Sequence, residues 1–400
     1  MLRLIGGLIS VAFLLLPMLA VAQAFETQAR AAYVFDQTTG TVLLEKNADE
    51  ALPPASMSKL MTLYMAFEAV ADGRLKIDET LPVSQHAMDY GGSSMFLRAG
   101  ERVSVEDLIR GVIVLSGNDA TTVLAEALSP DGTEAGFATM MTDRARELGM
   151  SSTVLTNSNG WPDPDHRMSM RDLGILADHL INDFPTFYPL FAEQEFAFDG
   201  RVPANSQNRN PLLGMGIGAD GLKTGHTQEA GYGLVGSAKR GDRRIVFVIT
   251  GLDTPEDRRD EAERLVNWAF RQFAQRSLPA AGTRVAEAEV WMGAAPTVGL
   301  SIAEDVSLLM PLEQIDQIEA EAVFLSPIDA PVTAGQRLGE LIVRREEGLP
   351  EVRVPLVADA DVAAGTFGVK LRTAALVLLE RFAPQQADLI EPLLTAPGGA

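Results

Sequence analysis

The spacing of apolar and polar positions divides the chain into a first part that mixes strands with helices and a second part of short strands. Residues 29–47 predict two strands around a turn, and residues 56–71 carry apolar side chains at helical spacing. Further helices are predicted at residues 105–128, with an interruption at Ser116-Gly117-Asn118, and at residues 134–148, 171–180 and 261–273. Further strands are predicted at residues 222–224, 231–237 and 244–250. This order predicts a mixed α/β (α+β) fold for the first part.

The composition changes near residues 277–282, where Pro, Ala and Gly indicate a linker. Alternating apolar and polar residues then recur between Pro/Gly turns over residues 284–358, which is typical of a small all-β domain. We therefore expect four segments, namely an export signal at residues 1–24, a mixed domain at 25–278, an all-β domain at 279–362 and a tail at 363–400.

The first residues have the pattern of a secretory signal. Arg3 provides a positive start, residues 4–21 are mostly apolar, and Ala22-Gln23-Ala24 matches a small-residue cleavage site. An uncleaved membrane anchor is the alternative, but the position of the cleavage site favours removal. We expect an exported, periplasmic protein, in which the absence of cysteine leaves no thiol to mispair.

Composition and charge exclude several classes of protein. Lys+Arg 33 against Asp+Glu 54 gives a net charge of -21, which repels phosphate backbones, so we expect no nucleic-acid partner. The absence of cysteine excludes disulfides and cysteine nucleophiles, and the 4 histidines lack the H-E-x-x-H spacing of zinc peptidases. The G-x-G-x-x-G match at residues 216–221 leads into a strand instead of a helix, so it indicates a turn. We therefore expect no metal and no cofactor.

Residues 370–382 near the C-terminus predict an amphipathic helix, with Leu371, Ala375, Leu378 and Leu379 on one side. Helices that lie on membranes usually carry Lys and Arg on the polar face. Here acidic residues offset the arginines of the segment. The residues leave open whether this segment packs on the protein, frays, or makes a peripheral contact with the inner membrane.

The first candidate motif is Ser56-Met57-Ser58-Lys59, which follows soon after Pro53-Pro54. Residues three apart share a helix face, so the Ser56 hydroxyl and the Lys59 amine can come within hydrogen-bond distance. A serine becomes a strong nucleophile when a base takes its proton, and a buried lysine with a lowered pKa can serve as that base. A helix N-terminus at Ser56 also favours developing negative charge. The alternative is a capped helix with a solvated lysine, because S-x-x-K alone is a common pattern.

The second motif is Ser116-Gly117-Asn118, which interrupts a helical pattern. Ser116 can relay a proton between Lys59 and a leaving group, and Asn118 can donate to a substrate amide. Ser206-Gln207-Asn208 also fits the S-x-N pattern, but it stands in a polar run that predicts a loop. We prefer Ser116 because Gly117 permits the backbone break that directs both side chains into a cleft.

The third motif is Lys223-Thr224-Gly225 on a predicted edge strand. A peptide can add to such a strand by β-augmentation, and Gly225 permits its close approach. Lys223 provides positive charge, and Thr224 can bind a carboxylate. The alternative is an ordinary edge strand whose lysine deters aggregation. Together and in this order, the three motifs are typical of β-lactamases and penicillin-binding proteins.

With these motifs the chain resembles the D-alanyl-D-alanine carboxypeptidases, which are low-molecular-mass penicillin-binding proteins. Other segments resemble the family as well, namely residues 54–62, 92–97, 105–111, 116–120, 208–210 and 220–227. The resemblance covers roughly residues 27–275, and the following residues to about 360 fit the family's second domain. It implies a penicillin-binding/β-lactamase-like serine peptidase domain followed by a small all-β domain.

The resemblance implies a catalytic role for several matching residues. Ser56 would attack the carbonyl between the two terminal D-alanines, with Lys59 as its base. The backbone N–H groups of Ser56 and His226 would form the oxyanion hole. Ser116 and Lys223 would pass the proton to the departing D-alanine, and water would then release the acyl group.

The resemblance also implies how the substrate is held. Arg209 and Thr224 would bind the terminal carboxylate beside Gly225, and a second carboxylate-binding arginine would be Arg258 or Arg259. The implied partners are a peptidoglycan stem peptide that ends in D-Ala-D-Ala and β-lactams as covalent inhibitors.

Three alternatives remain at this point. A D,D-endopeptidase cuts peptidoglycan crosslinks on the same fold, and the sequence does not distinguish it from a carboxypeptidase. A class A β-lactamase would need a deacylating Glu with an Asn one turn away between Ser116 and Lys223, and the sequence contains no such pair there. A catalytically idle scaffold would have no need of both Ser56 and Lys59.

Overall fold

The computed structural model of the 400-residue chain describes residues 25–312, 315, 318–345 and 351–382. The expected export signal at residues 1–24 lies outside the described residues, as do residues 383–400 of the expected tail. The strands are, in chain order, β1 (Ala31–Asp36), β2 (Thr41–Lys46), β3 (Thr80–Pro82), β4 (Arg102–Ser104), β5 (Ala219–Thr227), β6 (Gly231–Arg240), β7 (Arg243–Leu252), β8 (Phe273–Ser277), β9 (Arg284–Trp291), β10 (Thr297–Ile302), β11 (Ser307–Pro311), β12 (Glu319–Phe324), β13 (Ile328–Asp329), β14 (Arg337–Arg344) and β15 (Val352–Ala358). The α-helices are α1 (Lys59–Ala71), α2 (Gln85–Asp89), α3 (Val105–Arg110), α4 (Asn118–Leu128), α5 (Glu134–Glu147), α6 (Met170–Asp183), α7 (Pro255–Gln272) and α8 (Phe367–Phe382).

An antiparallel sheet in the order β2-β1-β7-β6-β5 forms the centre of the first part. Strand β7 is buried on both faces, and its successive side chains point to opposite sides. Val246 and Val248 belong to the core that contains α1 and α3 to α6. Phe247 and Ile249 belong to a second core with Leu265 of α7. The sheet therefore lies between two helical layers, and β5 is at its edge, as the sequence predicts.

Helix α1 is buried on nearly every side. Leu60 and Leu63 are buried as a one-sided helix would require, but Met61 and Tyr64 are buried as well. A helix that is apolar all round belongs in the interior of a protein. The first turn of α1 therefore carries Lys59 into the interior of the molecule.

The predicted interruption of the helical pattern at residue 116 is confirmed. Helix α3 continues into a π-helical turn at Gly111–Leu115, and Ser116 then adopts a left-handed conformation with φ 60. Helix α4 starts at Asn118 immediately afterwards. Residues other than glycine rarely hold a positive φ, and such strain concentrates at functional sites. Ser116 therefore stands at a break between two helices.

Helix α7 begins at Pro255, earlier than the predicted start at residue 261. Its first turns carry charged side chains, so hydrophobic spacing gives no signal there. A capping signal is nevertheless present, because Thr254 Oγ1 accepts a hydrogen bond from the Asp257 N–H at 3.0 Å and Pro255 stands in the first turn. The early start makes Arg258 part of the helix.

The second part has the predicted all-β architecture ahead of α8. Within the described residues, one sheet has the order β12-β14-β15-β10-β9-β13, and β8 pairs with β11 in a smaller sheet. This part has a core of its own, with Val298, Leu300 and Leu356 among its buried residues. Strand β8 lies just ahead of the boundary expected after residue 278, and it pairs with β11.

Helix α8 begins at Phe367, slightly ahead of the predicted residue 370. Its Phe367, Leu371 and Leu378 side chains are exposed. In the part of the chain that the structure describes, no helix is long and apolar enough to cross a membrane.

Candidate active site

Ser56 lies in a 3-10 turn, Ala55–Ser58, that leads directly into α1. Ala55 has φ 48, and Gly160, with φ 80, packs against it. A Cβ at Gly160 would lie 1.9 Å from the Ala55 carbonyl oxygen, so only glycine fits this contact. The turn is thereby fixed against the segment around Gly160, and the Ser56 side chain stays partly exposed.

Lys59 is fully buried next to Ser56. Its Nζ lies 2.8 Å from Ser56 Oγ and donates to the Asn159 carbonyl oxygen at 2.6 Å. Burial lowers the pKa of Lys59 well below its ordinary value, and the charge of Arg209 adds to this effect. A neutral amine in contact with a serine hydroxyl can accept its proton. The S-x-x-K spacing therefore produces the contact that the sequence predicts.

Ser116 is buried, and its Oγ has no hydrogen-bond partner among the described residues. It borders the same cleft as Ser56. A buried hydroxyl without a partner is costly unless a ligand or a water molecule completes it. Ser116 Oγ is therefore free to accept and donate a proton at the cleft. The alternative serine, Ser206, instead donates to Glu195 Oε1 at 3.0 Å and does not border the cleft.

Lys223 is the second buried lysine of the site and lies on the edge strand β5. Burial lowers the pKa of Lys223 well below its ordinary value, and the charge of Lys59 lowers it further. Thr224 and Gly225 follow it in the wall of the cleft. A Cβ at Gly225 would lie 2.9 Å from the Pro54 carbonyl oxygen, so glycine allows β5 to approach the 3-10 turn.

The polar groups of Asn118 are hydrogen-bonded within the protein. Its Nδ2 donates to the Gly91 carbonyl oxygen at 2.7 Å, and its backbone N–H donates to the Ser93 carbonyl oxygen at 2.7 Å. Asn118, like the buried Lys59 and Lys223, is not among the residues that border the cleft. In this conformation it holds the segment of Gly91 to Ser93 at the edge of the site.

The cleft has a volume of about 320 Å³ and brings most of the predicted residues together. It is lined by Ser56, Ser93, Ser116, Arg209, Thr224, Gly225, His226, Tyr232, Pro255 and Arg258. The ring of His226 stacks on that of Tyr232, with centroids 3.9 Å apart. No pattern in the sequence indicates Tyr232 or Pro255 as site residues. The β5–β6 hairpin places Tyr232 at the cleft, and the early start of α7 places Pro255 there. Ser93 could have been identified as a site residue from the sequence, because it lies in segment 92–97, which resembles the family.

Two arginines provide positive charge at the cleft. Arg209 is exposed, and its Nη1 donates a hydrogen bond to Ser93 Oγ. Arg258 is 9% exposed, lies 5.7 Å from the ring centroid of Tyr232, and has no hydrogen-bond partner for Nε among the described residues. Arg259 is exposed and pairs with the adjacent aspartate. The structure therefore places Arg258, and not Arg259, at the cleft.

The G-x-G-x-x-G match precedes β5 and forms a turn, in which Gly216 has φ 70 and Gly218 has φ 89. The helix that a dinucleotide site requires does not follow it. Over the ranges that the structure describes, no group of three or more His, Asp or Glu side chains could hold a metal ion.

Comparisons with known proteins show what the two parts of the chain are similar to. A family model described as D-alanyl-D-alanine carboxypeptidase matches residues 18–254. A second model, for the C-terminal domain of penicillin-binding protein 5, matches residues 273–364. The D-alanyl-D-alanine carboxypeptidase DacC of Escherichia coli is 35% identical over 353 residues, which cover 86% of this chain and 87% of the relative.

Solved structures show the same similarity. Penicillin-binding protein 5 from Haemophilus influenzae has a TM-score of 0.73 and 32% sequence identity, and the match covers 84% of this chain and 98% of that one. Penicillin-binding protein D2 from Listeria monocytogenes, in its ampicillin-bound form, has a TM-score of 0.55 and 33% identity over 60% of this chain and 97% of that one.

Proposed function

The chain belongs to the D-alanyl-D-alanine carboxypeptidase family, and we propose that it removes the terminal D-alanine from peptidoglycan pentapeptides through an acyl-enzyme on Ser56. Family membership makes it a serine peptidase, with a peptidase domain followed by an all-β domain. The observation that carries the proposed mechanism is the 2.8 Å contact between Ser56 Oγ and Lys59 Nζ. This contact lies at a cleft that also presents Arg209 and Arg258.

In the acylation step, neutral Lys59 takes the proton of Ser56, and Oγ forms a bond to the carbonyl carbon of the penultimate D-alanine. The backbone N–H groups of Ser56 and His226 stabilise the negative oxygen that results. The bond to the terminal D-alanine then breaks, and its nitrogen receives the proton through Ser116 and Lys223. Ser116 suits this relay because its hydroxyl has no other partner among the described residues.

In the deacylation step, water attacks the ester carbonyl, and Lys59 takes one proton from that water. The Ser56 oxygen leaves the carbonyl carbon and regains a proton from the lysine. The products are the shortened peptide and free D-alanine, and the overall hydrolysis consumes one water molecule and no other co-reactant.

The terminal carboxylate of the substrate accounts for the positive charge at the cleft. Arg209, Arg258 and Thr224 all line the cleft. Guanidinium groups bind carboxylates through charge-assisted hydrogen bonds, and partial burial strengthens them. A peptide whose last D-alanine has a free carboxylate is therefore favoured over one in which further residues follow that D-alanine.

We extend the proposal to inhibitors and location. The strained amide of a β-lactam would acylate Ser56 in place of the peptide, which makes β-lactams covalent inhibitors. The signal-like pattern of residues 1–24 supports export to the periplasm. The exposed Phe367 and Leu371 of α8 support a peripheral contact with the inner membrane.

The proposal is tested by measuring the release of free D-alanine from a pentapeptide and, in parallel, the conversion of a crosslinked dimer into its two monomers. We expect release from the pentapeptide by the wild type and none by Ser56→Ala, with both proteins showing the same thermal unfolding. Faster cleavage of the dimer would replace the carboxypeptidase assignment with an endopeptidase. Equal activity of wild type and Ser56→Ala would overturn the role of Ser56.

A further inference from the structure

Glu134, the first residue of α5, is a buried carboxylate that the mechanism above does not use. Its Oε1 accepts hydrogen bonds from the Ser158 backbone N–H at 2.9 Å and from Ser158 Oγ at 2.6 Å. Tyr90 donates to the same oxygen at 3.3 Å, and His86 Nε2 lies 3.0 Å from Oε2. A carboxylate with this many partners keeps one orientation and fixes Ser158.

Ser158 is also fixed from the opposite side. Thr62 of α1 donates its hydroxyl to the Ser158 carbonyl oxygen at 2.6 Å. The next residue, Asn159, presents its carbonyl oxygen to Lys59 Nζ at 2.6 Å. Adjacent peptide planes share one Cα, so the orientation of Ser158 limits where the Asn159 carbonyl points. Contacts therefore connect Glu134 to Lys59 through these two residues.

We propose that Glu134 is a positioning residue for Lys59. Its carboxylate holds Ser158, so that the Asn159 carbonyl directs the amine toward Ser56. The inference rests on the proposed role of Lys59 as the base. A neutral amine has two N–H donors and one lone pair. When one N–H donates to Asn159, the lone pair can face the serine hydroxyl, which is the orientation that proton transfer requires.

The charge of Glu134 acts on the same amine. Burial and Arg209 lower the pKa of Lys59, while the negative charges of Asp119 and Glu134 oppose them. The titratable and charged groups around the two residues are His86, Tyr90, Asp119, His166, Arg209 and Lys223. Removing the charge of Glu134 alone lowers the pKa of Lys59 further, so the proton-accepting form persists to lower pH.

The test measures the rate of acylation by a fluorescent penicillin as a function of pH. Glu134→Gln removes the charge but keeps an acceptor oxygen, whereas Glu134→Ala removes both. Asp172→Asn is the matched control. Asp172 is a 3% exposed carboxylate in the first turn of α6 that accepts from the Ser152 N–H at 2.9 Å, and it is not among the charges that act on Lys59.

For Glu134→Gln we expect the rising limb of the pH profile to move to lower pH by about half a unit or more, with most of the maximal rate kept. For Glu134→Ala we expect the same shift and a maximal rate reduced about tenfold or more, because the amine loses its direction. Asp172→Asn should match the wild-type profile even if its thermal stability falls.

The inference would be overturned if both folded Glu134 variants kept the rising limb of the pH profile and the maximal acylation rate of the wild type. It would also be overturned if the rising limb moved to higher pH. A purely structural role would lower the thermal stability of the Glu134 variants and leave their pH profile in place. Failure of the proposed function is distinguishable, because the wild type itself would then form no adduct on Ser56.

Discussion

Lys59 Nζ lies 2.8 Å from Ser56 Oγ, and the lysine side chain is fully buried while the serine faces a cleft. This pairing places a base with a lowered pKa beside a hydroxyl that a substrate can reach. The burial of α1 on nearly all sides is what keeps the amine away from water. The arrangement is typical of a serine nucleophile that an amine activates.

Removal of the Lys59 amine should slow the acylation of Ser56 and leave the fold intact. We expect Lys59→Ala to reduce the second-order rate of acylation about 10²- to 10⁴-fold, the range for loss of a general base. Exposed Lys76, changed to Ala, provides the control and should keep the wild-type rate. Stopped-flow measurement with a chromogenic β-lactam checks this, and a Lys59→Ala rate near that of the wild type would mean that another group is the base.

The burial of Lys59 also links stability to pH. The pKa of Lys59 is about 10.4 in the unfolded chain and is lowered in the folded protein. Between the two values the unfolded state binds more protons, so the free energy of unfolding rises with pH in that window. Below the folded pKa the two states carry the same charge at this residue, and its stabilising contribution is at its minimum.

Lys59→Met removes this dependence. We expect the wild type to gain stability relative to Lys59→Met as the pH rises toward the unfolded-state pKa of about 10.4, by up to about 1.4 kcal/mol per pH unit. Chemical denaturation at several pH values measures the difference. The exposed-lysine variant Lys76→Met should follow the wild type, and a difference for Lys59→Met that does not change with pH would contradict the lowered pKa.

Arg258 and Arg259 offer a matched pair for substrate binding. Arg258 borders the cleft, whereas Arg259 is exposed and pairs with the adjacent aspartate. We expect Arg258→Ala to lower kcat/KM for the pentapeptide about tenfold to a hundredfold, because a charge-assisted hydrogen bond to the carboxylate is lost. Arg259→Ala should change it less than about twofold. The reverse order would mean that the carboxylate binds elsewhere.

Gly160 supports the strained turn that holds Ser56. A Cβ at Gly160 would lie 1.9 Å from the Ala55 carbonyl oxygen, whereas Gly73 has the same φ of 80 with no atom within 4 Å. We expect Gly73→Ala to cost about 1–2 kcal/mol through φ alone. Gly160→Ala should cost at least about 2 kcal/mol more and slow acylation. Equal effects of the two substitutions in thermal unfolding and acylation assays would show that the contact has no structural role.

The parts of the site that local geometry determines could be predicted from the sequence. Ser56 and Lys59 are three residues apart, so helical spacing alone brings them together. Ser116 was predictable because Gly117 interrupts an otherwise helical pattern. The edge position of Lys223 followed from the pattern of strands.

The remaining parts depend on contacts between distant residues. Asn159 is 100 positions from Lys59, and no local pattern indicates that its carbonyl oxygen faces the amine. Arg258 enters the cleft only because α7 starts at a cap that hydrophobic spacing does not reveal. The amide of Asn118 bonds to Gly91, so the role that its motif suggests is not evident from its position.

Mapping the site of a penicillin adduct decides whether Ser56 is the nucleophile. The purified protein is incubated with a fluorescent penicillin, digested, and the labelled peptide is sequenced by mass spectrometry. We expect one stable adduct on Ser56, absent from the folded Ser56→Ala variant. A folded wild-type protein that forms no adduct, or one labelled at a different residue, would show that Ser56 is not the nucleophile.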